Sequence, residues 1–208
     1  MSAASSKTPD AGPPGETRPL EARPATIADL IAKGGENFEL IDGEVVPREL
    51  TSTEHGIGLG ALAEVLSPFR RRAGGPKGPG GWWIAIAPTI QLTVHQVLVP
   101  DVAGWRRERV PQMPTGFPQF CRPDWVCEIH AHPDARRRDL LQKRRVYSEA
   151  TIPHYWLIDT ERHTLTVLRL EAGVYVERLH AEREHRVRAE PFEALELQVG
   201  ILFGDDAD

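Results

Sequence analysis

The sequence predicts one α/β domain, a mixed β-sheet with helices packed on it. Three observations predict it. Short β-like runs bounded by Gly, Pro, Asn or Asp recur along the chain, among them FELIDGEVV, VLVPDVAGW, DWVCEIH and HYWLIDT. Two stretches show helical spacing instead, residues 52–72 and the segment holding QKRRVY. The 208 residues are 40% hydrophobic and 26% charged, an ordinary globular balance with enough apolar material for a single core.

In chain order, residues 1–24 are rich in Ser, Ala, Pro and Gly without an apolar period and are expected to form a disordered tail, which leaves 25–208 as the domain. Residues 25–33 read as a short helix with Thr26 as N-cap and Gly34-Gly35 as its stop. FELIDGEVV is a hairpin turning at Asp42-Gly43. Residues 52–72 read as a helix whose apolar residues are Ile57, Leu59, Leu62, Val65, Leu66 and Phe69. At its start Glu54 suits the helix dipole, and His55 reads as a structural histidine. The loop GGPKGPGG lacks the Gly-Lys-Ser/Thr ending of a phosphate-binding loop, which excludes a P-loop nucleotide site. Residues 82–87 and 89–94 are two β-like runs with Pro88 as the break between them. Residues 110–123 form a long irregular excursion, a candidate wall for a substrate cleft. HYWLIDT is a buried strand, residues 164–170 and 174–179 make a hairpin around Ala172-Gly173, and residues 192–203 close the domain.

Three groups stand out between residues 97 and 150. In VLVPDVAGW, alternation puts Val97, Val99 and Asp101 on one face of a strand. In DWVCEIH it puts Val126, Glu128 and His130 on one face and Trp125, Cys127 and Ile129 on the other. Each acid therefore lines up with valines that should be buried, and an ionised carboxylate on an apolar face is costly unless it is paired or binds a metal. On the wheel of the following helix, Lys143 lies on the arc of Leu140, Val146, Tyr147 and Ala150, while Arg144 and Arg145 project elsewhere. Two carboxylates and an inward lysine are the groups that hold a divalent cation and stabilise charge beside it during phosphodiester hydrolysis.

The order Pro100-Asp101, Glu128-Ile129-X and a helical Lys143 resembles the PD-(D/E)XK nuclease core with its lysine moved to the following helix. More closely, FELIDGEVV, VLVPDVAGWRRER, PDWVCEIH, RRRDLLQKRRVY and IPHYWLIDTERHTLTVLRL resemble the Uma2 family of restriction-endonuclease-like proteins, from about residue 25 to 203. The resemblance implies a restriction-endonuclease-like core, with a mixed central β-sheet flanked by α-helices. It also implies catalytic Asp101, Glu128 and Lys143, with Glu39 as the acid from the N-terminal region, and a homodimer. Mg²⁺ or Mn²⁺ is the expected cofactor, held by Asp101 and Glu128. The chain departs from the family after the strand glutamate, where it reads His130-Ala131-His132-Pro133-Asp134, and at Ala87-Pro88, where a glutamate is usual. His130 shares the face of Glu128 and is a further candidate metal ligand.

The expected partner is nucleic acid, DNA first. A net charge of −5 gives little general attraction to DNA, but Arg70-Arg71-Arg72 with Lys77, Arg106-Arg107-Glu108-Arg109, and residues 136–138 with Lys143-Arg144-Arg145 are basic clusters that could line one face. No apolar run is long enough to span a bilayer and no signal peptide opens the chain, so the default location is the cytoplasm. Cys121 and Cys127 are too few for a disulfide framework and do not make a zinc ribbon. Two other readings stay open: a non-catalytic binding protein that kept the nuclease fold, and a metallohydrolase with ligands His130 and His132.

Overall fold

The computed structural model describes residues 23–48, 51–74, 79–131 and 139–206. The Asp29 carboxylate accepts hydrogen bonds from the backbone N–H and the hydroxyl of Thr26, both at 2.8 Å, and so fixes the first turn of α1 (Ile27–Ala32). The expected hairpin follows as β1 (Phe38–Ile41) and β2 (Glu44–Pro47). Asp42 and Gly43, with φ of 54° and 76°, supply the two left-handed positions that its tight turn requires. Ser52 caps α2 (Thr53–Val65) by accepting from the His55 N–H at 3.2 Å. The helix was expected to reach Arg72, but it stops at Val65. Pro68 has no N–H for the helical ladder, and Ser67–Arg70 tighten into a 3₁₀ turn.

The strands continue as β3 (Trp82–Ile86), β4 (Ile90–Thr93), β5 (Gln96–Leu98), β6 (Val102–Arg106) and β7 (Trp125–His130). Asp139–Lys143 form a π-helical turn that runs into α3 (Arg144–Glu149). Then come β8 (His154–Asp159), β9 (Thr164–Glu171), β10 (Val174–Glu182), β11 (Arg186–Val187), β12 (Leu197–Gln198) and a closing 3₁₀ turn, Val199–Phe203. The single strand read through Val97, Val99 and Asp101 is in fact two. β5 ends before Pro100, which cannot donate to a ladder, and β6 begins after Asp101 in a different sheet.

The main sheet has six strands in the order β10-β9-β8-β7-β6-β3, parallel only between β7 and β8. A second, antiparallel sheet has the order β2-β1-β5-β4. One face of the main sheet packs Trp125, Cys127 and Ile129 against Leu62 of α2, Leu66 at its C-cap and Leu202 of the closing turn. The other packs Val126, Tyr155 and Leu157 against Val146 and Tyr147 of α3 and Ile41, Ile90 and Leu98 of the second sheet. The mixed α/β core is as expected. Much of its second face is covered by a sheet, because Leu40 pairs with Val97 and draws the N-terminal hairpin onto β5.

Gly104 on β6 sits between two indoles. A Cβ there would lie 3.1 Å from a Trp125 ring carbon and 3.2 Å from one of Trp82. Gly104→Ala is therefore expected to lose about 1–3 kcal/mol through overpacking. Urea unfolding checks this, and a wild-type midpoint would show that the two rings give way freely.

Candidate active site

Glu39, Glu128 and Lys143 come together in the interior, 1%, 2% and 4% exposed. Lys143 Nζ lies 3.0 Å from Glu128 Oε2 and 3.2 Å from Glu39 Oε1. Each partner arrives on a different element. Glu39 comes on β1 of the second sheet, where its Oε1 also accepts from the Val99 N–H at 2.8 Å. Glu128 comes on β7, on the Val126 side, as alternation predicts. Lys143 closes the π-helical turn, a geometry common at functional sites. Tyr147, four residues on and on the same helix face, donates its hydroxyl to Glu128 Oε1 at 2.6 Å. Burial, and then the neighbouring Glu128 charge, push the Tyr147 phenol well above its ordinary pKa, so it is a permanent donor at neutral pH.

Asp101 lies in the bend between the two sheets. β6 and β7 are antiparallel with Val102 opposite Cys127, a register that brings Asp101 level with Glu128. Its Oδ2 accepts from the Ile129 N–H at 2.7 Å, and its Oδ1 is 2.9 Å from His55 Nε2. The structure thus brings Glu39, Glu128 and Lys143 into contact, while Asp101 lies one register position before Val102 and bonds to the Ile129 N–H and His55. His130, on the Glu128 side of β7, sets its Nε2 3.8 Å from Asp159 Oδ2 of β8. His132 lies outside the described residues, as do residues 1–22, Lys77 and the arginines at 136–138. Among the described residues, no three His, Cys, Asp or Glu side chains are grouped to hold a metal ion, because the Lys143 ammonium stands between the two buried glutamates.

Two residues beside these acids were not assigned to the site from sequence. His55 was read as a core histidine, although its place in the first turn of a capped helix aims the ring at the strand ends. Tyr147 was on the same wheel arc as Lys143 but counted as an apolar contact. Two of the basic clusters do meet: Arg107 donates to the Arg70 carbonyl at 2.5 Å, and the Arg72 charge acts on Arg107. The described part of the third disperses, with Arg144 donating to the Tyr175 carbonyl and Arg145 pairing with Asp42.

Comparison with known proteins bears on the fold and the family. A solved structure from Anabaena variabilis, described as “a putative nuclease belonging to DUF820”, has a TM-score of 0.60 at 19% identity, over 86% of this chain and 98% of that one. The two chains share a fold. Among curated proteins none matches the chain. No helix among the described residues is long and apolar enough to cross a membrane. Residues 24–200 match the model of a family described as “Putative restriction endonuclease”, a span that takes in every acid and the lysine of the site, and the chain belongs to that family, Uma2.

Proposed function

We propose that this protein is an endonuclease that hydrolyses phosphodiester bonds in nucleic acid, DNA in our reading, with Mg²⁺ or Mn²⁺ held by Asp101, Glu128 and Glu39. The observation that carries the proposal is the convergence of two buried glutamates on one cation position, 3.0 and 3.2 Å from Lys143 Nζ; the β6–β7 register sets Asp101 level with Glu128 on the neighbouring strand. Carboxylate oxygens are the donors a hard divalent ion selects, and restriction-endonuclease-like families generally work with such ions. His130, whose Nε2 lies 3.8 Å from Asp159 Oδ2, is a further candidate nitrogen donor in our reading, and an imidazole in the set would favour Mn²⁺ over Mg²⁺. When bound, the ion lowers the pKa of a water and neutralises the scissile phosphate.

The chain's own residues supply the rest. The Tyr147 hydroxyl and the Val99 N–H each hold one glutamate oxygen and fix how the carboxylates present themselves. His55 and the Ile129 N–H do the same for Asp101. Lys143 brings a cation to the negative charge that develops on the phosphoryl oxygens. Incubation of the protein with plasmid, linear and single-stranded DNA in Mg²⁺ or Mn²⁺ tests the reading. Cleavage is expected from the wild type and none from Asp101→Ala. Cleavage that survives that substitution, or that needs no divalent ion, sinks it.

A second reading is a nucleic-acid-binding protein that does not cleave. What favours it is that Lys143 already neutralises the pair where a metal would sit, with no three-ligand group preset among the described residues. The same assay separates the two, since this reading requires DNA binding without strand scission. The homodimer implied by the family resemblance is part of our proposal, and sedimentation tests it.

A further inference from the structure

Along β3 and β6, these strands, the Pro88-Thr89 turn and the loop after β6 line an open cavity of about 340 Å³. Trp83 and Trp105, directly paired across β3 and β6, contribute its aromatic surface. Each indole N–H is held by the loop, Trp83 by the Val110 carbonyl at 3.0 Å and Trp105 by the Cys121 carbonyl at 2.8 Å. The rings are thereby fixed in orientation, and the loop is fixed over them. The Arg107 guanidinium stacks 3.6 Å from the centre of the Trp83 ring.

One lining group is a buried polar side chain with unused capacity. Gln119 is 6% exposed, and its Oε1 accepts from the Cys121 N–H. Its Nε2 makes no hydrogen bond among the described residues. The amide therefore faces the open cavity as a donor that a ligand's acceptor can engage.

The rim is cationic. Arg70 and Arg107 line the cavity. Burial first, and the nearby Arg72 charge second, lower the Arg107 pKa. A phosphate beside these guanidiniums would be held by two cations. A volume of this size is at the small end for ligand sites, enough for one planar ring system.

We propose that the cavity receives one unstacked nucleobase of a single-stranded segment of the substrate, with the arginine corner on its flanking phosphates. Fixed indoles give stacking that tolerates any base, and the Gln119 amide donates to an acceptor on the base edge. A base still stacked in a duplex cannot enter. The cavity's lining runs from Trp83 through Ala85 to Pro88 and Thr89, and the Ala87 N–H beside it donates to the Asp101 carbonyl at 2.9 Å, so one bound strand can serve both places. The inference rests on the nuclease reading for its substrate, but it predicts binding that needs neither metal nor cleavage.

The test uses the full chain in EDTA. A fluorescein-labelled single-stranded dodecamer and the same sequence as a duplex are titrated by anisotropy while tryptophan emission is followed. Single strand is expected to bind about tenfold more tightly than duplex and to quench the tryptophans. Ala85→Leu fills the cavity without changing charge, and Gln119→Glu keeps the acceptor for Cys121 while removing the donor. Each should weaken single-strand binding about tenfold, with duplex affinity and melting temperature unchanged. Equal affinity for the two forms, wild-type binding in both variants, or a dimer that Ala85→Leu dissociates would overturn the proposal. Single-strand binding without cleavage in any metal would defeat the nuclease reading and leave this site standing. Cleavage without strand preference would defeat this inference alone.

Discussion

Lys143→Met should cost the protein about 3–5 kcal/mol of stability, because it removes the cation shared by two buried carboxylates and leaves their charge uncompensated. It should also slow cleavage by about 10²–10³, the usual loss when one preorganised stabiliser of developing charge is deleted. The stability loss is checkable without any substrate. If the cause is stranded charge, adding Glu39→Gln to Lys143→Met should recover part of it, and Mn²⁺ should raise the melting temperature of the single variant more than that of the wild type. Urea unfolding of the four proteins of that cycle decides the matter: strictly additive losses would show that Glu39 and Lys143 do not act on one another.

The second large effect concerns the opposite face of the main sheet. Phe192 is 2% exposed and its ring is edge-on or tilted to four others, with centroids 4.7 Å from Phe69, 4.9 Å from Trp125, 5.0 Å from Trp82 and 5.6 Å from Trp156. It joins the C-terminal segment to β3, β7, β8 and the turn after α2. Phe192→Ala leaves a ring-sized void among rigid neighbours that cannot collapse into it, at a cost of about 3–5 kcal/mol. In a chain of this size that is a fall of about 6–20 °C in melting temperature. Calorimetry gives the number directly, and a fall under a few degrees would mean that the cluster repacks. Cleavage per folded molecule should be unaffected.

β7 was the most legible element, because both of its faces are buried by different partners and alternation alone sorts its six residues correctly. Lys143 was legible for a similar reason: an amphipathic wheel reports which side meets the sheet, even where the first turn is wound as a π-helix. Asp101 was singled out on a premise that the structure corrects. Its alignment with Val97 and Val99 assumed one continuous strand, whereas Pro100 divides the segment between two sheets. The second sheet itself was hidden, since the pairing of Leu40 with Val97 joins residues far apart in sequence and local periodicity carries no trace of it. Glu39 was reached through family resemblance; by pattern alone it read equally well as an exposed strand residue, and it is buried. The contact of His55 with Asp101 depends on how α2 docks, which no helical wheel specifies. Arg70 and Arg107 meet for the same reason, through the folding of loops rather than through their own spacing.

The Lys143 ammonium touches an acid from each of the two sheets while its own backbone belongs to the π-helical turn that leads into α3. One charged group thus acts as a rivet through three elements. The second sheet cannot slide or lift from the first without breaking an ion pair in a medium that gives no water in exchange, so opening of the N-terminal hairpin and the state of the acids are mechanically one event. Hydrogen exchange in β1 is therefore a gauge of what occupies the site: any ligand that ties Glu39 to Glu128 should slow exchange across the hairpin, and any change that parts them should quicken it.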